Sequence, residues 1–255
     1  MRYDEFKKMV KSANLEQIRS HLAFEMISED SPKQEKCKDC PHIVIQDMNA
    51  IPIIWAEIDD RPGSLAKLLV TKELCRYFSV SSEEMIRMVQ DETAKKLMPL
   101  SGLQSVMMEQ FGESLLQGAM EETLFLATTN DLHFGASVIC THDFFKNAAK
   151  QLGGNYYLLP SSVHEVLLAR ESNIISPREF QQLVGEVNRE VVEVSERLTD
   201  NAYHYDARKN LLETAIEYEA RLEKERELKK DRSQTFNQTR EPDREEPQEE
   251  EELEP

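Results

Sequence analysis

Two turns mark out the stretch that most constrains the fold. Gly153-Gly154 precedes, and Pro160-Ser161-Ser162 follows, the aromatic and aliphatic run Tyr156–Leu159. Such a run between turn residues predicts a short buried strand. Residues 163–169 are apolar except for His164 and Glu165, and read either as a second strand or as a helical turn leading into one. Ser162 and Glu165 also match the capping box, in which hydroxyl and carboxylate each satisfy a backbone N–H at a helix start. The rest of the chain is organised around this segment.

The same stretch carries the best catalytic candidates, Ser162, His164 and Glu165. In the functional reading Ser162 is a nucleophile and His164 its general base, oriented by Glu165. A triad needs the base within hydrogen-bond reach of both partners. On a strand, alternate side chains share a face, so Ser162 and His164 lie together while Glu165 points away. The helical zinc-protease pattern also fails, because Leu168 stands four positions after His164. The three residues therefore read first as polar-contact or capping groups. They become a site only where folding gathers them at a pocket, with His204 or Asp206 as further candidates.

Charge narrows the function classes. The chain has 48 acids against 31 bases, a formal charge of −17. Nucleic-acid backbones and anionic membrane surfaces both ask for clustered Lys and Arg, so neither is an expected partner. Residues 1–10, MRYDEFKKMV, lack the apolar core of a secretory signal. No apolar run nears the ~20 residues of a membrane-spanning helix. The expected location is the cytoplasm. Cys75 and Cys140 sit in apolar patterns and read as small core residues. Cys37 and Cys40 form a C-x-x-C with His42 close behind. A structural zinc site takes four ligands and no second pair is present; a redox pair belongs at a strand-to-helix turn, the reverse of the order here. These two cysteines are the metal candidates and read as incidental. No motif calls for a cofactor.

Along the chain, Leu15, Ile18, Leu22 and Met26 recur at three and four and predict helix through residues 1–28. A polar linker containing Pro32 follows. Ile51, Ile53, Ile54 and Trp55 predict a central strand, and a turn at residues 60–64 leads to a hairpin partner over 65–70. Thr71 caps a short helix to residue 78. Ser81 and Glu84 form a capping box for a helix to about Leu97, ended by Pro99. The same pattern at residues 101–104 opens a third helix to roughly residue 117. Residues 123–128 and 136–141 read as strands that pair as a hairpin, and 142–152 as a helix stopped by Gly153. Ser176, Pro177 and Glu179 open another helix, and residues 202–206, AYHYD, read as an edge strand. Beyond Asp206, Leu211, Ala215, Tyr218 and Leu222 space as a two-heptad helical seam for docking on the body or for weak pairing. Residues 241–255 hold nine acids and one base and predict disorder.

Four segments taken together, PHIVIQDMNAIPIIWAEID, LVTKELCRYFSVSSEEMIRMVQDET, LFLATTNDLHFGASVICTHDFFKNAAKQLGGNYYLLPSSVHEVLLA and LVGEVNREVVEVSERLTDNAYHYD, resemble a bacterial domain-of-unknown-function family, number five-six-eight-eight. The resemblance spans about residues 41–206, and LPSSVHEVLL is its most specific part. The family's motif positions fall here on Thr129, Asn130, Gly135, Ala136, Leu159, Pro160, Ser161, Ser162, His164, Glu165, Asn188, Asp200, Tyr203, Tyr205 and Asp206. The longer N-terminal half usual in the family is reduced here to about 40 residues, and the helix and tail after Asp206 look like an extra. The resemblance implies no reaction.

The expected fold is α+β, a mostly antiparallel four- to five-stranded sheet with helices packed on one face, plus a C-terminal helix and a disordered acidic tail. Its expected divisions are an N-terminal helix and linker (1–40), the α+β core domain (41–206), a charged helix (207–231) and the tail (232–255). The leading function is a non-enzymatic protein-interaction or accessory module with a protein partner, its oligomeric state left open. The alternative is a small-molecule hydrolase using Ser162, His164 and Glu165. A nucleic-acid mimic ranks last, because the densest acids lie in the tail.

Overall fold

Strands β1 (Leu22–Ser28) and β3 (Met48–Glu57) pair antiparallel and form the spine of a first sheet. The computed structural model describes residues 1–59, 63–103, 105, 124–160, 162–172 and 174–238. β2 (Ile43–Ile45) and β4 (Leu65–Leu69) both pair with β3, so the expected hairpin around residues 60–64 is formed. β1 corrects the helix expected through residue 28. Helices α1 (Tyr3–Ser12) and α2 (Leu15–Ile18) end before it, and the linker that follows holds α3 (Gln34–Cys37). Leu22 and Met26 fit a helical stripe, yet Leu22, Phe24 and Met26 also alternate, and a strand needs only a partner. β3 supplies it. Leu22, Phe24 and Met26 enter the main core while Ala23 and Ile27 join clusters on the other face. Residues 1–40 thus contribute core as well as helix and linker.

The second sheet has six strands in the order β10-β9-β7-β8-β6-β5, every pair antiparallel. They are β5 (Ser101–Gly102), β6 (Leu124–Ala127), β7 (Tyr156–Leu159), β8 (Val166–Arg170), β9 (Tyr203–Asp206) and β10 (Leu211–Thr214). The α+β class holds, with two sheets where one of four to five strands was expected. β7 lies inside the sheet and is buried on both faces. Tyr156 and Leu158 face the main core, shared with the inward side of the first sheet, and Tyr157 and Leu159 face a second core.

Local capping signals predict the helices well. In α4 (Lys72–Tyr77) the Thr71 hydroxyl accepts from the Leu74 N–H at 3.1 Å. α5 (Ser82–Lys96) opens on the reciprocal Ser81–Glu84 box. α6 (Phe144–Leu152) ends on Gly153 at φ +86°, and α7 (Pro177–Glu190) opens on Ser176 and Glu179 with proline at its first position.

Four further expectations are corrected. Residues 136–141 are not a strand: 136–140 belong to a wholly buried 3-10 segment, Gly135–Cys140, with Thr141 just past its end, so no hairpin joins them to β6. Leu132 and Phe134 take positive φ (57° and 54°) and coil the chain there. β9 is not an edge strand, because β10 pairs along its outer side. The seam after Asp206 divides: Leu211 lies in β10, and α8 (Ala215–Gln238) begins only at Ala215 and runs past residue 231. Pairing with β9 decides this, since it satisfies a backbone that a helix start would leave open. Finally, residues 101–102 are strand. The rest of the helix expected to roughly residue 117 falls mainly on residues 104 and 106–117, outside those described, as do the tail residues 239–255.

Candidate functional site

The LPSSVHE stretch turns between β7 and β8 and meets the residues that follow β6. The Thr128 hydroxyl donates to the His164 carbonyl at 2.8 Å, and the Ala136 N–H to the Val163 carbonyl at 3.2 Å. Gly135 sits between them. A Cβ there would overlap Thr128 Oγ1 and the His164 carbonyl oxygen. Thr129 donates to Asp131 Oδ1 at 2.8 Å, Asp131 pairs with Lys96 at 3.1 Å, and the Asn130 N–H bonds the Lys96 carbonyl. Thr128, Gly135, Ala136, Ser162 and His164 thus meet at one junction, and beside it Thr129 and Asn130 bond to Asp131 and Lys96. Its bonds run largely through backbone, and they lock the 3-10 segment against the second sheet.

The catalytic candidates are neighbours there but not a triad. Ser162 is buried, and its hydroxyl oxygen accepts from the backbone N–H of His164 at 3.0 Å rather than meeting the imidazole. His164 Nε2 lies 3.4 Å from Glu196, not Glu165. Burial raises the Glu165 carboxyl above its ordinary range, against a hydrogen bond from Ser162. No helix starts here: Ser162 closes a local turn before β8. Ser161 and Pro160 flank it, Ser161 outside the described residues. The nearest imidazole to His164 is His133, at 6.4 Å between ring centroids, itself 3.4 Å from Glu57.

A second cluster gathers Asn188, Asp200 and Tyr203 around a residue that local patterns do not mark, Asp47. Asp47 stands in the turn between β2 and β3 and accepts from Thr199 Oγ1 at 2.6 Å, from Asn201 Nδ2 at 2.9 Å and from the Tyr203 hydroxyl. Asn188, 1% exposed on α7, donates to the Thr199 carbonyl and to Asp200 Oδ1. Its own Oδ1 has no partner among the described residues. These groups tie the first sheet to the second and border an open cavity of about 390 Å³ that Arg189 and Arg197 also line.

His204 and Asp206 lie on the face of the second sheet opposite Tyr203, Tyr205 and the main core. His204 is fully buried, stacked on Tyr218 at 3.5 Å and 4°. Its Nε2 is 3.3 Å from Glu171 Oε1, and neither ring nitrogen has an aligned hydrogen bond. Contact with His204 holds the Glu171 carboxyl down to about 2 despite burial, with help from the Tyr218 hydroxyl. Arg221 pairs with Glu213 at 2.6 Å and Asp206 at 3.2 Å. Tyr205 donates to Asn210.

Cys37 and Cys40 are buried against Ile27 and Ile51. Burial pushes Cys40 up to about 11 and raises Cys37, so both are protonated thiols at neutral pH. Among the described residues no group of three or more His, Cys, Asp or Glu is placed to hold a metal.

These features define an α+β protein of two antiparallel sheets, keyed together by buried polar clusters. The chain belongs to a family of unknown function (DUF5688), whose model matches residues 2–207. No curated protein and no solved structure matches it. The match takes in α1, α2 and β1, whereas β10 and α8 lie beyond it. Local patterns do not mark Asp47 or Glu171, because their partners at residues 199–203 and at His204 and Tyr218 lie far off along the chain. No helix among the described residues is long and apolar enough to cross a membrane.

Proposed function

We propose that the chain is a non-enzymatic accessory module of the bacterial cytoplasm, and that α8 is the arm through which it engages a protein partner. The observation that carries this reading is how α8 leaves the body. Ala215, Tyr218 and Leu222 pack on the second core, and Arg178–Glu219 and Lys209–Glu225 ion pairs hold the first turns. Residues 226–230 are all exposed, and the helix continues to Gln238. At ~1.5 Å per residue that is about 20 Å of helix beyond Glu225. A helix this short is marginal in water alone. A partner that covers residues 226–230 supplies burial for that stretch, and its mixed charges give that partner both signs to match. Free, buried thiols at all four cysteines accord with a reducing compartment. The hydrolase alternative has less support, since Ser162 and the His164 ring are not hydrogen-bonded to each other.

The test compares the full chain with a chain ending at Glu225 in affinity capture from the host, read by quantitative mass spectrometry. A stoichiometric partner depleted at least about tenfold by the truncation, a loss of about 1.4 kcal/mol or more, is the expected result. A partner retained equally by both chains, or no partner at all, removes α8 as the docking element.

A further inference from the structure

One charged residue interrupts the apolar strand β1. Glu25 is 5% exposed, on the face turned away from the main core. Its Oε1 accepts from Lys33 Nζ at 2.9 Å and from Lys67 Nζ at 2.8 Å. Lys33 comes from the segment leading into α3 and Lys67 from β4. One lysine would neutralise a buried carboxylate; two leave the site positive, in a chain whose formal charge is −17. Each ammonium has three donors and spends one on Glu25. Sharing one oxygen also keeps the two ammonium groups close enough for a single anion to bridge them.

The lysines border a cavity of about 220 Å³ whose other walls are Ile27, Cys37, Ile51 and Leu69. That is below the ~300–1,000 Å³ of drug-sized pockets and far more than one water needs. An apolar ligand would leave the surplus charge unmatched, and a bare anion would leave the apolar walls wet. We propose that this cavity binds a small carboxylate bearing a short apolar chain. The carboxylate bridges Lys33 and Lys67 at the rim, and the chain lies along Ile27, Ile51 and Leu69. The rival account makes the two lysines simple pins that hold the α3 segment to the sheet.

Calorimetric titration of the full chain with acetate, butyrate, hexanoate and octanoate separates the two. Binding should tighten about fourfold per added methylene until the cavity is filled. Hexanol and inorganic phosphate should each bind at least about tenfold more weakly than hexanoate, because each satisfies only half of the site. Lys67→Gln and Lys33→Gln should each weaken hexanoate by about tenfold while the protein stays folded by circular dichroism. Glu25→Gln removes the internal competitor, so hexanoate should bind more tightly to it than to the native chain. No saturable hexanoate binding at about 10 mM overturns the proposal. So does phosphate binding as well as hexanoate, or unchanged affinity in Lys67→Gln. A Glu25→Gln chain that melts earlier and binds no hexanoate leaves the lysines as pins.

Discussion

At the scale of single residues, the junction beside His164 turns on one missing methyl group. Gly135 is needed there for space: the Thr128 hydroxyl and the His164 carbonyl close on it from two sides, and both atoms belong to the hydrogen bond that joins β6 to the β7–β8 turn. Neither neighbour is a flexible side-chain end that can swing clear. Gly135→Ala should therefore cost about 3 kcal/mol or more, seen as a lower urea midpoint with an unchanged slope. The glycine was visible in the sequence; its reason was not, because Thr128 and His164 approach it only after the sheet forms. Ser162, His164 and Glu165 teach the converse. They are adjacent in sequence and remain adjacent in space, yet the Ser162 hydroxyl accepts from a backbone N–H and the His164 ring turns to Glu196, so Ser162 and the His164 ring do not pair. Glu25 did leave a local trace, a lone charge in an apolar run, but nothing local names Lys33 and Lys67 as its partners.

At the scale of elements, β10 and the first turns of α8 complete the second core. Tyr218 covers His204, while Tyr157 stacks on Phe180 beneath the same helix pair. A chain ending at Asp206 loses that cover and leaves β9 as an open edge, with His204 uncovered and Tyr157 covered on the Phe180 side alone. It should melt far earlier than the native protein, or aggregate, since uncovering aromatic side chains of this size costs roughly 3 kcal/mol or more for each. A chain ending at Glu225 keeps the cover and should melt within a few degrees of the full chain by circular dichroism. An equal, large loss in both would place the stabilising contacts in the outer half of α8. Helix starts were legible because a cap is a contract among four consecutive residues, as at Ser81–Glu84 and Ser176–Glu179. β1 and the 3-10 segment were not, because a strand exists only with a partner, and β1 finds β3 more than twenty residues later.

At the scale of the whole molecule, carboxylates held at the margins of both cores set the response to acid. Contact with His204 holds Glu171 at about 2, below its ordinary 4.5. Burial opposes the charge on Glu25, but hydrogen bonds from Lys67 and Lys33 outweigh it and lower that carboxyl too. A carboxyl lowered on folding binds fewer protons folded than unfolded, so its contribution is fully present above pH 4.5 and is lost as pH falls through the lowered value. The stability difference between the native chain and Glu171→Gln should be greatest above pH 4.5 and shrink toward pH 2, in urea titrations across that range. A difference that stays constant with pH would show that Glu171 is not held by its charge.

The sequence by itself determined what depends on neighbours along the chain: the helix starts, the burial of β7, the α+β class and the acidic C-terminus. Tertiary structure alone decided the division into two sheets, the inner place of β9, and the polar clusters at Asp47, Glu25 and His204. The physical reason is range. A cap or an alternating strand is satisfied within a few residues, whereas a buried charge is tolerable only beside a partner, and that partner is chosen by how the sheets pack.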